Sequence, residues 1–157
     1  MNMYVGVDPG KKGGYSIISF NGDAVSFPWD DAGFVNTMNN ISASFPKNQI
    51  HVFVEKVGAM PGQGVVSMFN FGKSAGFIEG VLNACYLTYE LVPPQRWKKY
   101  YGLNSDKSAS IEKCKELFPK TNLLATPRSH KPSDGMAESL LIANYGKEMI
   151  EGRESID

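Results

Sequence analysis

The chain has 157 residues, 42% of them hydrophobic, with 16 Lys or Arg against 16 Asp or Glu for a formal net charge of zero. That length and composition fit one domain able to bury a core, and they exclude a disordered or low-complexity protein. No apolar run is long enough to span a bilayer, no secretory leader opens the sequence, and Cys85 and Cys114 sit at separate apolar helix positions. A cytoplasmic protein with two reduced, buried thiols and no membrane contact is therefore expected.

In chain order, Met3 to Val7, Tyr15 to Phe20 and Ala24 to Pro28 read as three strands, the last two joined by a hairpin turn at Asn21-Gly22-Asp23. Asp30 or Asp31 is placed to cap a helix whose Phe34, Val35, Met38 and Ile41 share a face. Ile50 to Glu55, with its unbroken apolar run, reads as a strand inside the sheet. A glycine-rich loop, Lys56 to Gly64, leads into a long helix from Val65 to Cys85, where Gly72, Gly76 and Gly80 recur every four residues. Each interior helix glycine costs about 1 kcal/mol relative to alanine, so close packing of this stripe on the protein's own sheet is expected. That leaves Met68, Phe69, Ala75 and Leu82 as candidates for sheet or partner contact.

Leu87 to Val92 reads as the fifth strand, Gln95 to Tyr101 as a short basic helix, and Ser105 or Asp106 as the cap of another helix ending at Phe118. Residues 120–133 form a loop. Asp134 to Ile150 closes residues 1–150 as one domain, and residues 151–157 form a polar tail expected to fray. The order β-β-β-α-β-α-β-α-α-α defines an α/β fold, a mixed five-stranded sheet flanked by helices.

Four acids stand where these elements meet. Asp8 ends the first strand before Pro9-Gly10, Glu55 ends the fourth, and Asp134 and Glu138 share one face of the last helix. Such a cluster suits hard divalent ions, Mg²⁺ or Mn²⁺, better than it suits a core, and no His or Cys set is present for zinc. Asp134 has a second reading as a plain helix cap. From Pro93 to Lys131 there are nine basic residues against three acidic ones, an asymmetry that total charge conceals. By itself it describes a solvated face; beside an acidic cluster it describes a phosphate-binding surface.

Gly6-Val7-Asp8-Pro9-Gly10, Val54-Glu55-Lys56-Val57, Val92-Pro93-Pro94-Gln95-Arg96-Trp97-Lys98-Lys99 and the segment Asp134 to Ala143, in that order, resemble the RuvC family of Holliday junction resolvases, particularly the small bacteriophage forms. The resemblance implies a ribonuclease H-like fold and a homodimer acting on four-way DNA junctions, in the host cytoplasm for a phage protein. It also implies a metal site built from Asp8, Glu55, Asp134 and Glu138, two Mg²⁺ ions per site, and products with 5′-phosphate and 3′-hydroxyl ends. The last acid departs from the family pattern, being Glu at a spacing of four where Asp at three is common.

On the same resemblance the loop after Glu55 enters the junction, with Met60 as the apolar wedge; its other reading is an ordinary mobile loop. Lys11, Lys56, Arg96, Lys98, Lys99, Lys107, Lys113 and Lys131 are the candidate DNA contacts, and Trp97 is read as a core anchor. Phe69 is the first candidate for a dimer contact, with a core role as its alternative. Three other readings compete: a branched-DNA or RNA/DNA-hybrid nuclease of the same fold, a nucleotide-binding phosphotransferase lobe, and a non-catalytic junction-binding module. The phosphotransferase needs two lobes, and the binding module does not need all four acids.

Overall fold

The computed structural model describes residues 1–58 and 61–156. A five-stranded sheet has the order β3-β2-β1-β4-β5, built from β1 (Met3–Asp8), β2 (Gly14–Ile18), β3 (Ala24–Pro28), β4 (Ile50–Glu55) and β5 (Tyr89–Val92). β1 pairs antiparallel with β2 and β2 with β3, whereas β1–β4 and β4–β5 are parallel, so the sheet is mixed. The Asn21-Gly22-Asp23 turn forms as expected, Gly22 taking a φ of 90° that suits glycine. β2 starts one residue earlier and ends two residues earlier than the sequence suggests, and β5 starts two residues later. The Ser19 amide already bonds the Asp23 carbonyl inside the turn, and Leu87 closes the end of the preceding helix through the Leu82 carbonyl.

Helices cover both sheet faces. On one side lie α1 (Asp31–Ser44) and α2 (Val65–Ala84); on the other lie α3 (Pro94–Tyr101), α4 (Lys107–Leu117) and α5 (Asp134–Ile156). Strand alternation sorts the core accordingly. Val5, Val7, Val52 and Val54 pack with Phe34, Met38, Ile78 and Leu82. Tyr4, Phe53 and Val92 pack with Trp97, Cys114, Leu140 and Leu141. Asp30 caps α1 by accepting from the Gly33 amide at 2.7 Å, and Asp106 caps α4 through Ser108. Both cysteines are buried free thiols.

Two expectations change. α5 does not stop at Ile150 but continues to Ile156, its outer turns supported by a Lys147–Glu151 ion pair and by Asn2 donating to Glu154. The stripe of Gly72, Gly76 and Gly80 does not pack on the sheet. A Cβ at any of the three would meet open space, because α2 turns Ile78 and Leu82 inward and the glycines outward. Val65, at 83% exposure, and Phe69, at 69%, lie on that same outer face. Leu82 is core, and Met68 is partly exposed.

Candidate metal centre

Period-two alternation carries Gly6 and Asp8 of β1, and Phe53 and Glu55 of β4, to the sheet face that α5 covers. α5 comes close because the seam lacks side chains. A Cβ on Gly6 would collide with the Ser139 carbonyl and the Ala143 amide, one on Gly135 with the Lys12 carbonyl, and one on Gly146 with the Phe53 ring. Buried hydroxyls tie the helix to the sheet: Ser26 donates to the Met136 carbonyl at 2.9 Å, and the Ser16 and Ser139 hydroxyls bond each other at 2.7 Å. Glu138 therefore sits over the ends of β1 and β4.

One carboxylate oxygen from each of Asp8, Glu55 and Glu138 lies within 4.8 Å of the others. Asp8 and Glu138 are buried, at 8% and 4% exposure, which is rare for acids. Burial, then Glu55 and Glu138, push the Asp8 carboxyl well above its ordinary range. Burial also raises Glu55 and Glu138, opposed in the first by the Trp97 hydrogen bond and in the second by Lys107. Three mutually repelling, dehydrated carboxylates with free oxygen lone pairs are a donor set that fits a hard divalent cation.

The fourth acid stands apart. Asp134 opens α5 at the rim, and the helix cap is its neighbour Ser133, whose hydroxyl accepts from the Met136 amide at 3.2 Å. Asp134 instead meets Lys107, 3.1 Å away, and the same ammonium lies 3.9 Å from Glu138. Burial lowers the Lys107 pKa, but the surrounding acids outweigh it and the net shift is upward. Lys107, read from sequence as a phosphate contact, is thus the local counter-charge of the cluster.

Trp97 is fully buried, as a core anchor should be, yet its indole Nε1 also donates to Glu55 Oε2 at 2.9 Å. That fixes one oxygen of Glu55 and leaves the other for the site. No local sequence signal separates such an indole from an ordinary core tryptophan. Lys98 lies over the Trp97 ring, 5.5 Å from its centroid, and its charge reaches Glu55 and Glu138. Lys99, Lys56, Lys11 and Lys131 are exposed. Arg96 pairs loosely with Glu90 at 3.8 Å, and Lys113 pairs with Glu116 along α4 at 3.0 Å. Met60 lies outside the described residues.

Sheet order and flanking helices give a ribonuclease H-like fold, similar to that of RuvC. Thermus thermophilus RuvC superposes with a TM-score of 0.58 in its complex with a Holliday junction substrate, at 13% identity over 91% of this chain and 90% of that one. A second Thermus thermophilus RuvC structure gives 0.56 over 96% of both chains, also at 13% identity. In sequence, the chain is 31% identical over 98 residues to the chloroplastic Holliday junction resolvase MOC1 of Chlamydomonas reinhardtii, a match spanning 61% of this chain but 11% of that relative. No family model matches the chain.

Proposed function

We propose that the protein is a metal-dependent endonuclease that resolves four-way DNA junctions by paired phosphodiester hydrolysis, leaving 5′-phosphate and 3′-hydroxyl ends. The observation that carries this reading is the buried triad of Asp8, Glu55 and Glu138 on a RuvC fold. Oxygen-only donors favour Mg²⁺, with Mn²⁺ as substitute, and the charge of the three acids with Asp134 at the rim, about −4, suits two ions. Such ions, when bound, supply a water acidic enough to attack a phosphate and a counter-charge for the leaving 3′-oxygen.

The chain's own residues prepare that chemistry. Asp8 would hold the ions together with Glu55 and Glu138, which lie within 4.8 Å of it; Glu55 is aimed by the Trp97 N–H, and Glu138 is positioned by the glycine seam under α5. Lys107 and Lys98 bring positive charge to the edge where a scissile phosphate arrives. Lys99, Arg96, Lys113, Lys56, Lys11 and Lys131 supply contacts to flanking phosphates, independent of sequence and sensitive to salt. The loop after Glu55, including Met60, is the wedge at the strand exchange.

Two symmetric cuts require two such centres, which a twofold dimer supplies. The outer face of α2 supports it: an exposed stripe of Gly72, Gly76 and Gly80 beside Val65 and Phe69 admits a second helix at short range. The protein acts in the cytoplasm, and no helix among the described residues is long and apolar enough to cross a membrane. The deciding assay offers four-way junction, flap, duplex and RNA/DNA hybrid with Mg²⁺, Mn²⁺ or EDTA. Paired metal-dependent cuts confined to the junction are expected; equal cutting of flap or hybrid would replace junction resolution with a broader nuclease.

A further inference from the structure

We propose that the cavity between the β1–β2 turn, the start of α1 and the N-terminal half of α2 is a nucleotide subsite, holding one unstacked nucleotide of the strand being cut. The phosphate lies on Lys11 and Lys73, and the base against Trp29 and Phe71. This rests on the junction-cleaving reading and names the part of the substrate that meets this face. The cavity measures about 480 Å³, inside the roughly 300–1,000 Å³ range of pockets that enclose small ligands. Its wall includes Gly10 and Lys11, immediately beyond the Asp8 strand end, so the cavity opens at the end of the sheet where the acidic cluster stands.

The wall chemistry selects a nucleotide. Lys11 and Lys73 are exposed, and neither forms an ion pair among the described residues, which leaves two ammonium groups for a phosphate. Trp29 is held firmly: its ring packs 4.9 Å from Phe34 and edge-on to Tyr15 at 5.9 Å, and its Nε1–H donates to Asp31 at 2.8 Å. With its one polar atom bonded to Asp31, itself part of the wall, the indole offers the cavity flat carbon surface. Phe71, 40% exposed, adds a second ring, and Asn70 adds an amide able to bond a base edge. Cations beside rigid aromatic surface are how proteins hold unpaired nucleotides. Strand exchange at a junction is where such nucleotides arise.

The test walks a single abasic site across the three nucleotides on either side of the mapped cut. Junction affinity in EDTA is measured for the wild type, Phe71→Ala and Lys73→Ala. One position is expected at which loss of the base weakens the wild type about tenfold and leaves Phe71→Ala unaffected. Lys73→Ala should weaken all junctions alike and flatten the salt dependence. Absence of a position-specific loss in the wild type, or an equal loss in Phe71→Ala, overturns the subsite while leaving junction cleavage standing. Conversion of either variant from dimer to monomer in sedimentation assigns the cavity to the subunit contact and overturns it too. A wild type that neither binds nor cuts junctions removes both readings. If Phe71→Ala fails to fold, Phe71→Leu and the exposed Lys73→Ala carry the comparison.

Discussion

α2 and α5 are the two longest helices and both carry several glycines, yet they use them oppositely. In α5 two of the three glycines are where backbone meets backbone or ring: Gly135 lies against the β1–β2 turn and Gly146 against Phe53, while Gly152, in the outer turns, meets nothing. In α2 the glycines face empty space, beside exposed Val65 and Phe69. One helix is completed by its own sheet and positions Glu138 in the acidic cluster; the other leaves its glycine face open. Glycine in a helix therefore signals close approach without saying to what.

The comparison can be broken at several points. The largest effect belongs to the α5 side: Asp8→Asn should abolish cleavage and retain junction binding, with metal-free stability equal or higher because a repelling charge is removed. Cleavage in Mg²⁺ by this variant, or its ready unfolding, would remove Asp8 from the centre. On the α2 side, Phe69→Asp should turn a dimer into a monomer at micromolar concentration in sedimentation, with the fold kept. A dimer that survives moves the interface elsewhere.

Paired glycine substitutions give a middle-sized effect of opposite sign. Gly146→Ala should lower stability by about 1–3 kcal/mol through overpacking on the buried Phe53. Gly76→Ala should raise monomer stability by about 1 kcal/mol through helix propensity and weaken self-association. Urea melts at low and high protein concentration separate the two.

The raised carboxylates predict a pH effect. Because the folded pKa values of Asp8, Glu55 and Glu138 lie above their unfolded ones, the folded state holds the extra protons. Their contribution to stability is full below the ordinary carboxylate range and is lost as pH rises through the raised values. In EDTA the melting temperature should fall across that window, and Mg²⁺ should flatten the fall. The smallest effect is electrostatic: Lys98→Ala with Lys99→Ala should lower the slope of log affinity against log salt by about 0.9 per lost phosphate contact, measured by titration on junction and duplex alike.

Much of the fold was legible because alternation and turn residues are local signals. The order of elements along the chain, caps at Asp30 or Asp31 and at Ser105 or Asp106, of which the structure uses Asp30 and Asp106, and the acids at two strand ends all follow from them. What failed depended on direction in space. A four-residue glycine repeat reads identically whether it faces the sheet or solvent, and only the inward turn of Ile78 and Leu82 decides. The polar residues after Ile150 read as a tail because α5 there lacks an apolar stripe, although one ion pair along the helix and the Asn2 hydrogen bond to Glu154 support it to Ile156. Trp97 and Lys107 were visible as residue types, but their bonds to Glu55 and Asp134 join elements distant in sequence.

The seam between β1 and α5 has a consequence for how this protein tolerates change. At Gly6 even one methyl group would strike the backbone of Ser139 and Ala143, on the helical turns just beyond Glu138. Any larger residue there must push the helix outward, and the carboxylate travels with it. Damage to function then arrives without touching an acid, and a screen for inactive variants would return Gly6 beside Asp8 for a wholly different reason. The spacing of the charged groups is set by a missing side chain.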